Sequence, residues 1–416
     1  MRWLRGRTFA SLRHRNFRLY YASHAVAFAG RWMQQIAAYW LVLELTRDPV
    51  AVGALAVFQL LPVTVFGLAA GSAIDRFDVR RLIVSCEAVM AALSAILAAL
   101  TLTGAINVWG VYAVVGIQGL LLVVDNPARH ALVFRIVGPA DLPNAVALSS
   151  ALGTTARVVG PALGGLVVAL AGAGVAFALN AATYLAVVAA VLAMRESDLL
   201  PESRHDARVG LLSGTWEALR FAFSSRRVAV AFLAVLIVST VSFNFDVLFP
   251  LLAAETLAAG AATFGLVAAV FGFGALVGAL GLATIGRARM RLLLLGAGGF
   301  GVVELLLAPQ STLVAVLALL VPLGVFYVFW GTSALATLQL SAPPALRGRA
   351  VSLYFFAFQG GAPLGGLLAG WLTKVGGTEL AFAVAGATAI LVSLAGAAAL
   401  RNARQRRHQP AAAVVS

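Results

Sequence analysis

The chain has 416 residues, of which 61% are hydrophobic and only 11% charged, and its mean hydropathy is +0.95. A water-soluble protein of this length needs far more charge to cover its surface, so composition excludes the soluble globular class and makes lipid the solvent. The formal net charge of +14 does not point to nucleic acid: Lys374 is the single lysine, and the arginines gather in short segments between apolar runs, a topology signal rather than a phosphate-tracking surface.

Taken in chain order, Arg2, Arg5, Arg7, Arg13 and Arg15 precede an apolar stretch that includes Ala27-Phe28-Ala29, the outline of a signal peptide. The apolar pattern resumes through Ile36–Leu45, however, so this stretch reads as a retained first span. A bilayer core needs about 20 apolar residues per helix. On that measure, apolar runs and breakers give twelve candidates, near 17–46, 50–74, 82–104, 108–134, 144–170, 175–194, 227–256, 263–286, 290–308, 312–340, 349–373 and 379–400. The longest polar stretch, 195–226, carries Pro201, Glu202, Arg204, His205, Asp206 and Arg208. It turns amphipathic around Trp216, Leu219 and Phe223, which predicts a linker ending in an interfacial helix. The expected organisation is an all-α integral membrane protein with twelve transmembrane helices in two pseudo-symmetric six-helix halves, 1–194 and 227–400. The linker 195–226 joins them, and a tail, 401–416, follows.

Arginine placement sets the expected orientation. Twenty-six of the 30 basic residues fall in one alternating set of inter-span segments, which includes the 4–5 junction and both termini. Arg47 and Lys374 alone occupy the other set, and Arg31 and Arg157 lie inside spans. The positive-inside rule puts the basic set, and both termini, in the cytoplasm. Cys86 is the only cysteine, and the five histidines show no metal-ligand spacing, so no disulfide, metal or cofactor is expected.

The segment between spans 2 and 3 reads Gly71-Ser72-Ala73-Ile74-Asp75-Arg76-Phe77-Asp78-Val79-Arg80-Arg81. It resembles the Gly-x-x-x-Asp-Arg-x-x-x-Arg-Arg signature loop of the major facilitator superfamily. The fifth span carries Gly160-Pro161-Ala162-Leu163-Gly164-Gly165, similar to the core of that superfamily's antiporter motif. Family glycines further upstream are replaced by Ala147 and Ala156. Span 11 holds a related Ala362-Pro363-Leu364-Gly365-Gly366, a weak internal repeat. Segments 16–53, 125–133, 142–165 and 243–253 resemble the bacterial branch that includes enterobactin and macrolide exporters. The resemblance implies the major facilitator fold and an export role, and leaves the substrate open. It also implies that spans 1, 4, 7 and 10 surround a cavity, with 5 and 11 close by. Superfamily members often have an arginine three residues before a Gln-Gly pair in span 4. Here Val115 precedes Gln118-Gly119, which leaves Arg157 as the candidate central arginine.

Polar groups inside spans are costly and usually face a cavity or a partner. His24, Arg31, Gln34 and Gln35 share a helical face of span 1. With Gln118, Arg157, Asn244, Asp246, Tyr327, Trp330 and Gln359 they form the candidate substrate cavity. Asp246, a carboxylate in an apolar run, is the leading candidate for a coupling proton. Glu87 and Glu304 follow, on spans that are peripheral in the fold, where structural pairing competes. Gly71, Asp75, Arg76, Arg80, Arg81 and Asp125 are the candidate cytoplasmic gate, with Asp125 expected to latch onto the loop arginines. Gly160, Pro161, Gly164 and Gly165 form the antiporter motif, read either as an occluding element or as a small-residue packing seam.

Gly296-Ala297-Gly298-Gly299-Phe300-Gly301 fits a dinucleotide-binding pattern but lies inside span 9 with no strand before it, so that reading fails its context. No Gly-x-x-x-x-Gly-Lys-Ser/Thr sequence occurs, which argues against an ATP-driven pump. The expectation is therefore a monomeric bacterial inner-membrane transporter that exports a small amphipathic molecule, drug-like or a siderophore, against inward proton flow. The rival on the same fold is a proton-coupled uptake symporter. A membrane enzyme or a non-transporting assembly factor is the rival from another class, and no nucleophile, base and ligand constellation supports it.

Overall fold

The computed structural model describes residues 8–74, 77–201, 220–285, 290–343 and 346–408, and among them there is no strand. Among the described residues, eight helical runs are long and apolar enough to cross a membrane. With no water to satisfy a backbone amide inside lipid, a helix that closes its own hydrogen bonds is what such runs must form. Two of the helices are broken by glycines. The run Val108–Leu192 leaves helical geometry at Gly138 (φ 69°) and Gly172 (φ 81°), and the run Ala362–His408 does so at Gly376 and Gly377. Gly138 and Gly172 sit in the left-handed region, where a Cβ would be strained, and Pro139 reinforces the first break.

Divided there, the helices are α1 Arg15–Thr46, α2 Pro49–Ile74, α3 Val79–Leu102, α4 108–137, α5 139–171 and α6 173–192. After the linker come α7 Arg226–Thr256, α8 Ala261–Ile285, α9 Met290–Leu307, α10 Leu313–Ser341, α11 347–375 and α12 378–408. This is consistent with the twelve spans expected. Among the described residues four helices start on side-chain caps: Asp48 accepts from the Val50 amide at 3.0 Å, Asp78 from Arg81 at 2.8 Å, Asn107 from Gly110 at 2.9 Å and Ser225 from Val228 at 3.3 Å. Large apolar side chains such as Leu170 and Val314 are about four-fifths exposed, as lipid-facing positions must be. The amphipathic turn expected at Trp216 and Leu219 lies outside the described residues.

The chain divides into two compact units, Met1–Arg208 with Phe249–Gly272, and Val209–Leu248 with Phe273–Ser416. In the first unit, Phe17 and Tyr20 of α1 pack with Ile83 of α3, Leu132 and Ile136 of α4, and Val187 of α6 in one apolar cluster. The segment leading into α1 is clasped to the α4–α5 junction. Arg13 and His14 both reach Asp141 Oδ2, at 2.6 and 2.8 Å, and the Ser11 hydroxyl donates to Asn144 at 2.9 Å. The glycines of α5 are where neighbouring helices touch. A Cβ at Gly164 would lie 2.8 Å from the Met33 Cα of α1, and one at Gly165 would lie 2.7 Å from the Gly265 Cα of α8. Small residues let these backbones approach to contact distance.

In the second unit, α7 is interrupted at 242–244 and resumes at Phe245. Ser239 and Ser242 tie it to its neighbours by donating to the carbonyls of Ala357 (3.0 Å) and Ala385 (2.8 Å). Phe243 stacks on Tyr327 with centroids 4.7 Å apart, and Phe358 lies against Tyr354, Tyr327 and Trp330. The false dinucleotide pattern resolves into a packing seam, since Gly301 backs onto the Gly386 carbonyl at 2.5 Å from its would-be Cβ.

Candidate functional site

Two polar layers are buried in the first unit, and the same helices build both. The first centres on Arg129 of α4, which is 4% exposed. Its Nε donates to Asp125 Oδ2 at 2.5 Å, one turn earlier on the same helix; its Nη2 pairs with Glu87 Oε1 of α3; its Nη1 lies 2.6 Å from His24 Nδ1 of α1. Glu87 and Asp125 are both 0% exposed. A guanidinium can only donate, so His24 Nδ1 accepts and the ring is neutral, with its proton on Nε2. Two carboxylates bonded to one guanidinium leave the directly bonded groups of this layer with one formal negative charge in excess, and the Arg31 charge acts on Asp125 from farther away. Glu87 Oε2 and Asp125 Oδ1 have no hydrogen-bond partner among the described residues. One added proton would neutralise the layer and supply a donor to it.

The second layer is an amide network. Gln34 of α1 donates to Gln118 Oε1 of α4 at 2.5 Å, and its own Oε1 accepts from Ser94 of α3 at 2.7 Å and from Asn180 of α6 at 2.5 Å. Gln118 closes the ring by donating to the Ser94 hydroxyl at 3.0 Å. Gln34 and Gln118 of this network line a cavity of about 130 Å³ whose other polar lining comes from Arg31, Gln35, Gln59, Tyr39 and Tyr184. Along α3 the layers are seven residues apart, Glu87 to Ser94, roughly 10 Å at 1.5 Å per residue. A ladder on one face of α1 connects them: Tyr20 stacks on His24 (5.0 Å), His24 meets Phe28 edge-on (4.3 Å), and the Arg31 guanidinium sits 4.6 Å from the Phe28 centroid.

Of the expected cavity residues, the structure brings Arg31, Gln34, Gln35 and Gln118 together at this cavity, and places His24 in the charged layer. Arg157 is exposed, its guanidinium 5.9 Å from the Trp32 ring centroid. It is not the buried central arginine; Arg129 is. The sequence reading counted Arg129 among the inter-span arginines of the 4–5 junction, and its signal was the Asp125-x-x-x-Arg129 spacing, three turns beyond Gln118. The partner that the structure gives Asp125 is this arginine, in place of the expected loop arginines. Asp75 and Arg76 lie outside the described residues, as does the surrounding of Gly71. Arg80 donates to the carbonyls of Val191, Leu192 and Met194 at 2.8–3.2 Å, closing the end of α6. The Arg81 backbone amide is the donor to the Asp78 cap.

In the second unit Asp246 is exposed, on the first turn after the α7 interruption, so the burial that made it the leading proton candidate is not met. Asn244 spends its amide on the carbonyls of its own helix, Thr240 at 2.9 Å and Val241 at 3.2 Å. Tyr327 and Gln359 are half-buried, and Trp330 is 0% exposed. Glu304 is also 0% exposed, with neither carboxylate oxygen partnered among the described residues. Sequence reasoning missed Ser94, Asn180 and Gln59. Ser94 was reachable as the residue two turns beyond Glu87 on the same face.

Long apolar helices around a buried charged layer and a polar cavity describe a multi-pass membrane protein. The model of the transmembrane secretion effector family matches residues 6–414, and the chain belongs to that family of major facilitator type transporters. It is 23% identical over 381 residues to a staphyloferrin A transporter of Staphylococcus aureus, covering 90% of this chain and 94% of that one. It is 23% identical over 383 residues to macrolide efflux protein A of Streptococcus pyogenes, covering 90% and 93%. A crystal structure of the nucleoside transporter NupG shares the fold, with a TM-score of 0.76 at 13% identity over 93% of this chain and 99% of that one.

Proposed function

We propose that this chain exports a small amphipathic molecule across a bacterial cytoplasmic membrane in exchange for inward-moving protons. The two six-helix halves, 1–194 and 227–400, give alternating access, both termini face the cytoplasm, and the working unit is the monomer. The observation that carries the reading is the pairing of a polar cavity at Arg31 and Gln35 with a buried layer in which two carboxylates share one guanidinium. The first is a place for a carried molecule. The second is a place for one proton, and four helices hold the two in fixed relation. A secretion-effector family match over residues 6–414 and an efflux relative over nine-tenths of the chain support the outward direction. Of the three coupling candidates, burial and excess charge favour Glu87, with Asp125 as its companion, over Asp246.

Everted membrane vesicles containing the chain test this. Acidifying the vesicle interior should drive an amphipathic fluorescent efflux dye inward, and a protonophore should abolish the uptake. Glu87→Gln, which fixes a neutral side chain in the charged layer, should leave dye binding intact and remove the dependence on the gradient. No gradient-driven accumulation of any dye in a broad panel, or movement in the opposite sense, would overturn export by proton exchange. Unchanged coupling in Glu87→Gln would remove Glu87 from it.

A further inference from the structure

We infer that the Arg31 cavity binds the carboxylate of an organic acid, with the acid's apolar body laid against Leu55, Val115 and Leu122. The first ground is charge. Arg31 lines the cavity and is half-buried, and among the described residues no carboxylate lies within 4.0 Å of it. The buried carboxylates of this unit, Glu87 and Asp125, are bonded to Arg129. Asp78 and Asp141 are engaged at helix ends, and Glu44 accepts from the Trp40 indole at 2.6 Å, far along α1. The Arg31 charge acts on Asp125 only from beyond ion-pair distance, so its N–H donors have no bonded anion, and a carboxylate is the group that matches them.

Geometry gives the second ground. The guanidinium rests on the Phe28 ring, its carbon 4.6 Å from the centroid. That contact holds the head group against an aromatic face, and a guanidinium held there keeps N–H donors for bidentate pairing. The third is the inventory of the wall. Gln34, Gln118, Ser94 and Asn180 bond to one another, so they hold the shape of the cavity. Gln59 accepts from Tyr39 through Oε1, a bond that does not use its NH2 group, and Gln35 stands beside Arg31. The remaining polar lining is therefore a cation with amide donors and the Tyr184 phenol, alongside apolar Leu55, Val115 and Leu122. A cavity of about 130 Å³ has room for roughly four waters' worth of ligand, enough for a carboxylate and the first carbons behind it.

This inference deepens the export reading by naming the chemistry of the carried molecule, yet its test reads binding without transport, so either can fail alone. Because the anion sits on Arg31 and the proton on the Glu87 layer, exchange runs through conformation rather than through competition for one group. The full chain in phosphatidylcholine nanodiscs, titrated calorimetrically, should bind octanoate saturably and bind octanol and octyltrimethylammonium at least about tenfold more weakly. Arg31→Gln should weaken octanoate by at least about tenfold, Arg31→Lys by less, and Arg157→Gln should leave it unchanged. Should Arg31→Gln fail to fold, Val115→Phe, which fills the cavity from the opposite wall, should block octanoate with Arg31 intact. Equal binding of the three probes, or wild-type octanoate binding in both Arg31→Gln and Val115→Phe, would overturn the inference. Loss of octanoate binding on adding phosphatidylglycerol would assign the site to a lipid phosphate and overturn it as well.

Discussion

The two units bury their polar groups in opposite ways. The first distributes a guanidinium, two carboxylates, an imidazole and four amide or hydroxyl groups over α1, α3, α4 and α6, each bonded to another. The second surrounds its interior with Phe243, Tyr327, Trp330, Tyr354 and Phe358 and leaves one carboxylate, Glu304, without a bonded neighbour among the described residues. Charge in lipid is tolerated when it is paired, and an acid without a partner can persist there only by keeping its proton. The first unit thus holds two carboxylates bonded to one guanidinium, whereas the second holds a lone buried carboxyl that no cation bonds among the described residues.

Removing Arg129 is the strongest way to break this contrast. Arg129→Met leaves Glu87 and Asp125 buried side by side with no cation, and breaking a buried ion pair costs about 3–5 kcal/mol. The variant should fail to accumulate as folded protein, or melt far below wild type in a detergent thermal-shift assay. Adding Glu87→Gln and Asp125→Asn to it should restore much of the loss. A singly substituted Arg129→Met that melts like the wild type would show that the layer is not held by charge. Gln34→Leu is the next step down. It strips partners from Ser94, Asn180 and Gln118 together, and orphaning buried polar groups costs about 1–3 kcal/mol. Its sequence neighbour provides the control, since Gln35 lines the cavity outside that network, and Gln35→Leu should leave the melting temperature near wild type.

Much of the fold was legible because lipid imposes a coarse grammar. Helices have to be long and apolar, and their ends fall where Asp78, Asn107, Gly138 and Gly172 permit. Half of the site was legible too. Arg31, Gln34, Gln35 and Gln118 stand out because polar side chains inside apolar runs are conspicuous. What escaped was pairing. Arg129 looks like any positive-inside arginine, because its neighbours in sequence are those of a helix end, and only tertiary packing brings His24 and Glu87 to it. Asp246 misled for the converse reason: an apolar neighbourhood in sequence does not by itself bury a residue, and Asp246 is exposed. Asn180 and Ser94 are short and neutral, so nothing in composition marks them until Gln34 is seen between them.

Glu304 supplies the smallest expected effect and the sharpest form of the comparison. If its carboxyl is neutral where it sits, glutamine is close to an isostere in both shape and charge. Glu304→Gln should then move the melting temperature by less than about 3 °C, and by the same amount at pH 6 and pH 8. An ionised Glu304 behaves differently, because replacing an unpaired buried charge with a neutral amide relieves several kcal/mol of desolvation. The variant would then be markedly more stable than wild type at pH 8, with the gap closing as the wild-type acid takes up its proton at lower pH. That outcome would make Glu304 a second titrating site and erase the distinction between the units. The expected outcome, a flat and small difference, leaves the proton-accepting charge with Glu87 and Asp125 alone among these buried carboxylates.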